Sequence, residues 1–113
     1  MDIDKLTVGE LKQLTEMIGA KKRPADDSHW KLGRNYFIRT VTHHYTGRLV
    51  KVTRQELILE SAAWIADDGR FHDALRDGKF NEVEPYYEEQ VILNRGALID
   101  AVIWKHELPK DQK

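Results

Sequence analysis

The sequence predicts an α+β chain that is mainly β: an N-terminal helix, then a small, strongly bent antiparallel sheet of five strands with one short helix inserted. Three observations predict it. The stretch Arg34–Arg70, RNYFIRTVTHHYTGRLVKVTRQELILESAAWIADDGR, writes β-branched and aromatic runs at close spacing. A tryptophan and an acidic turn then lead into a short helical pattern. Two further apolar runs, QVILN and ALIDAVIWK, end the ordered part of the chain.

Each element follows from its own residues. Thr7-Val8-Gly9-Glu10 spells a capping box, and Leu11, Leu14, Met17 and Ile18 repeat at helical spacing behind it. Gly19 can end that helix in the left-handed region, so residues 8–18 are the predicted helix. Residues 20–33 are polar and aperiodic, contain Pro24 and read as a loop. Asn35–Tyr45 alternates as one strand, with Tyr36 and Ile38 on the core face and Arg39, His43 and Tyr45 on the other. Thr46-Gly47 marks a turn or bulge. Arg48–Thr53 and Glu56–Glu60 form a hairpin around Thr53-Arg54-Gln55. The chain then turns at Asp67-Asp68-Gly69, where an aspartate would cap a helix running from about Gly69 to Arg76 and closed by Gly78. Residues 90–94 and 97–105 are the last two strands, joined by a tight Asn94-Arg95-Gly96 turn, and 107–113 is a charged, frayed tail. The predicted core is Leu11, Leu14, Ile38, Leu49, Leu57, Leu59, Ile92, Ile99 and Ile103.

Five short strands behind a helix resemble the SH3-like, Sm-like and OB-like small barrels, which places 34–105 in one barrel and 1–113 in one domain. Barrels of this kind leave an edge that subunits commonly share, so a homo-oligomer is expected. The strings YFIR, TGRLV, ELILE, Ala63-Trp64-Ile65 and Arg70–Leu75 also resemble small proteins of unknown function encoded by tailed phages and prophages, over roughly residues 34–104. That resemblance implies a phage accessory protein acting in the host cytoplasm, and it carries over no catalytic residue.

Composition narrows the function classes. The 113 residues are 41% hydrophobic and 33% charged, as in an ordinary folded domain. No apolar run approaches the roughly 18 residues of a membrane span, and the N-terminus does not read as a signal peptide. With no cysteine, thiol catalysis, disulfides and cysteine-bound zinc are excluded, and a cytoplasmic location is the default. Net charge is −1, which gives the whole chain no bias toward nucleic acid. The charge is split: residues 1–54 hold 11 Lys/Arg against 6 Asp/Glu, and residues 55–113 hold 7 against 13. Such a split either builds a basic and an acidic face or disappears as the halves interleave.

No motif announces chemistry. Ser28 and Ser61 are the only serines and neither sits in a nucleophile elbow; no phosphate-binding glycine loop occurs. His43 and His44 are adjacent, so a strand would point them to opposite faces, whereas ligands must converge to about 2 Å from one ion. Asp67, Asp68, Asp73 and Asp77 lack a cation-loop spacing. No enzyme activity, cofactor or metal is expected. What remains is a basic and aromatic group: Arg39, His43, Tyr45, Trp64 and Arg70. Arginine binds phosphate bidentately and aromatic faces stack bases, which suits a small anionic, nucleotide-like ligand. The expected function is therefore non-enzymatic capture of such a ligand, in a phage setting a host defence signal. Arg39 and Arg70 would take phosphate, and His43 or Tyr45 with Trp64 would stack. The alternatives are a virion or assembly component and a small barrel that binds single-stranded nucleic acid.

Overall fold

In the computed structural model, which describes residues 29–113, two threonines set the hairpins of the sheet. Thr40 N donates to His43 O at 2.8 Å while its Oγ1 accepts from His43 N at 3.0 Å. Thr53 repeats the arrangement, its N donating to Glu56 O and its Oγ1 accepting from Glu56 N, both at 2.9 Å. A hydroxyl that competes for backbone donors stops a ladder and turns the chain. The expected strand 35–45 is thereby split: β1 is Asn35–Thr40 and β2 is His44–Val52, paired with each other. The second threonine closes the expected hairpin between β2 and β3 (Glu56–Asp67).

After β3 come α1 (Phe71–Asp77), β4 (Glu82–Pro85), β5 (Val91–Asn94), a 3-10 turn at Arg95–Ala97, and β6 (Leu98–Ile103). All pairings are antiparallel, in the order β4-β3-β2-β1-β6, with β5 also on β3. The described sheet thus has six strands rather than five, and it is not closed, because no ladder joins β5 to β6. The last two strands are not a hairpin. Asn94 accepts from Gly96 N at 2.8 Å and caps the 3-10 turn. Arg95 N then donates to Gln55 O, and Val41 N to Ala97 O. Three residues thereby cross from the β5 edge to the β6 edge.

That crossing needs a bent sheet, and the bend sits where the sequence marks a bulge. Thr46 pairs Ala63 and Arg48 pairs Glu60, so Gly47 faces two residues of β3. Ser61 there takes a left-handed φ of 51°. A Cβ on Gly47 would lie 3.1 Å from Leu59 Cβ and 3.2 Å from Ala62 Cβ, so the strands approach closely only with glycine. At the same point β3 exchanges β5 for β4 as its partner.

One apolar cluster joins Phe37, Ala63, Ile65, Ala74, Phe80, Val83 and Trp104, with Phe71, Leu75 and Leu108 packed against it. Tyr36 and Ile38 alternate with Phe37 and are buried too, so β1 is covered on both faces. Of the predicted core, Ile38, Leu49, Leu57 and Leu59 are fully buried. Ile92 and Ile99 are instead 63% and 59% exposed, and Ile103 is half-buried; Val91 and Leu93 turn inward. In β5 three consecutive apolar residues satisfy either facing, so alternation could not choose between them. The predicted helix 8–18, with Leu11 and Leu14, and most of the predicted loop 20–33 lie outside the described residues.

The helix insertion holds with small corrections. Gly78 closes α1 in the left-handed region, its N–H donating to Ala74 O, and a Cβ there would overlap the His106 ring. Neither aspartate caps the helix: the N-cap is Arg70, without a side-chain bond. Asp67 Oδ1 accepts from Gly69 N and shapes the turn, while Asp68 faces His44. The tail is docked rather than frayed. Val83 and Lys113 exchange both backbone bonds, Gln112 donates to Glu84, and Leu108 joins the core cluster.

Thr46 Oγ1 is fully buried and has no partner among the described residues. Thr46→Val keeps the shape and removes an unsatisfied hydroxyl, so urea unfolding should show a gain of about 1 kcal/mol. A loss of stability would reveal a hydrogen bond that the hydroxyl makes in solution.

Candidate functional site

The turn at Val41–His43 divides the predicted site. Directly opposed residues of antiparallel strands share a face. Arg39 pairs His44, which pairs Ile65, on the side covered by α1. Ile38 pairs Tyr45, which pairs Trp64, which pairs Glu84, on the other side. Arg39 is therefore not on the face of His43 and Tyr45 where unbroken alternation put it. Parity counted through residues 41–43 fails because a turn does not preserve it.

Arg39 is also occupied. Its Nε and Nη2 donate to the two carboxylate oxygens of Asp100 at 2.8 and 2.5 Å, and its guanidinium lies 4.2 Å from the Phe71 ring centroid. The hydrogen bond from Arg39 holds Asp100 below the usual carboxylate range, and the same bond holds the guanidinium above its own. A planar fork bound to a carboxylate and stacked on a ring is not presented to a second anion. Arg70, the residue before α1, is exposed and makes no side-chain bond among the described residues.

The stacking half of the site does assemble. The His43 ring lies 5.6 Å from Trp64 and 6.2 Å from Tyr45, and Tyr45 stacks on Tyr86 at 6.5 Å. Trp64 and Tyr86 are each 37% exposed, and Tyr87 beside them is almost wholly exposed. Burial pushes the Tyr45 phenol above its ordinary pKa, with the Tyr86 phenol adding to it. Tyr86 was not singled out from sequence. Its signal was Pro85 before a tyrosine pair, and only the β3–β4 pairing, with Tyr86 N donating to Ala62 O, brings it to Tyr45.

His43 and His44 do point apart. His44 Nδ1 is 2.8 Å from Asp68 Oδ2 and its ring meets the edge of Phe37, whereas His43 joins the exposed rings. Among the described residues no group of three His, Asp or Glu side chains could hold a metal ion. The charge split dissolves in part, since Arg39–Asp100 and Arg48–Glu60 pair the basic half with the acidic half. A separate groove lies at the β2–β3 turn, between Arg54, Glu56, Ile92, Asn94 and Arg95. No described helix is long and apolar enough to cross a membrane. Compared with known proteins, the chain matches no family model, no curated protein and no solved structure.

Proposed function

We propose that this chain is a non-enzymatic binding protein that captures a small nucleotide-like molecule by stacking its base on His43, Tyr45, Trp64 and Tyr86. The supporting observation is the exposed cluster itself: a chain of four rings, Trp64 to His43 to Tyr45 to Tyr86, with successive centroids 5.6, 6.2 and 6.5 Å apart, of which Trp64 and Tyr86 are each 37% exposed. Large rings left on a surface mark a contact site, and a π-face accepts any base. Arg70 stands at the start of α1, the helix that covers the opposite side of the sheet, so the rings and not a cation carry the proposal. Glu84, opposite Trp64, and Glu88 and Glu89, just after the tyrosines, favour a compact ligand over a long polyanionic strand. On the phage resemblance, the ligand class includes host signalling nucleotides, and the protein acts by sequestration in the host cytoplasm.

Thermal shift and tryptophan quenching against mononucleotides and cyclic oligonucleotides test the reading. A stabilising ligand should lose about 1–3 kcal/mol of affinity in Trp64→Ala, the worth of one base–aromatic stack. If no nucleotide shifts or quenches the protein, the reading is rejected.

A further inference from the structure

We propose that the free edge of β6 is a homodimer interface, in which β6 of one copy pairs antiparallel with β6 of a second copy about a two-fold axis through Ala101. Three observations point there. Among the described strands β6 pairs β1 alone, so its outer edge carries unpaired backbone groups over six residues. The other long flank is different: β4 is four residues long and Val83 already bonds Lys113 in both directions. The sequence LIDAVI contains no lysine, arginine or proline, the usual protections of an exposed edge. Its one charge, Asp100, is neutralised by the two-fold bond from Arg39 of its own chain.

Exposure and backbone direction choose both the partner and the register. Trp104 N donates inward to Asn35 O at 2.8 Å, so alternation turns the N–H and C=O of Ile103 and Ala101 outward. Outward groups at alternate residues fit a copy of themselves when the axis passes through Ala101. Ala101 then exchanges bonds with Ala101 of the second copy. Ile99, 59% exposed, lies opposite Ile103, and Val102, 38% exposed, lies opposite Asp100. Shifting the axis to Asp100 would oppose two carboxylates, which disfavours that register. Exposed apolar side chains are covered and no like charges meet, which is the self-complementarity an isologous interface requires.

This inference does not rest on the stacking site, and its test reads assembly rather than ligand. Sedimentation equilibrium of the full chain should show a dimer, with slow amide exchange at Ala101 and Ile103. Ala101→Pro removes an outward N–H and leaves the inward ladder to β1; Ile99→Lys places a charge against an isoleucine at each end. Both should yield monomers with an unchanged circular dichroism spectrum, and the two amides should then exchange fast. Trp64→Ala should remain a dimer. Should Ala101→Pro fail to fold, Ile99→Lys and amide exchange decide. A wild-type monomer at all concentrations, a folded Ile99→Lys dimer, or a dimer with fast exchange at both amides would overturn the proposal.

Discussion

Phe37→Ala should lower the unfolding free energy by about 3–5 kcal/mol, the range for deleting a buried aromatic ring. Phe37 is buried and sits among the rings of Phe71, Phe80 and Trp104, at 5.9, 5.4 and 5.6 Å, with His44 edge-on at 5.9 Å. Those rings come from β2, α1, the α1–β4 connection and the segment after β6. They cannot all move inward to fill the space, because α1 is held by Gly78 and His106, and Trp104 Nε1 donates to Glu107 O. Urea unfolding followed by tryptophan fluorescence measures the loss. Ile92→Ala, on an exposed side chain of β5, is the control and should change little. Equal effects for the two variants would mean that the ring cluster is not the centre of the fold.

Leu57→Ala should cost about 2–5 kcal/mol. Leu57 has no solvent exposure and is paired with Val52 on one side and Leu93 on the other, so the cavity opens at the junction of β2, β3 and β5. Leu93 is itself buried and Gln55 O is bonded by Arg95 N, so this end of the sheet is tied to the 3-10 turn. The loss should therefore come with faster amide exchange in β5 as well as a lower urea midpoint. A wild-type midpoint would show that the facing of β3 is the reverse of the one described.

The stacking surface and the fold differ in how far each could be read ahead of the structure. His43, Tyr45 and Trp64 were legible because aromatic residues stand out in any polar surface pattern. Their company with Tyr86 was not, since it depends on β4 pairing the far half of β3. Arg39 looked available because its partner, Asp100, is 61 residues away in sequence. A fork-to-carboxylate bond of that span leaves no local trace.

Local chemistry determined what lies within a few residues. The threonine-and-arginine turn between β2 and β3, the bulge at Gly47, the helix ended by Gly78 and the inward facing of Ile38, Leu49, Leu57 and Leu59 all follow from propensity, alternation and turn residues. Tertiary structure decided the rest: that β5 and β6 part to opposite edges, that the tail docks on β4, and that Ile92 and Ile99 face outward. Each of these turns on which distant strand supplies the partner. A short apolar run is equally good on either face and at either edge, so only the bend at Gly47 and the ladders it permits make the choice.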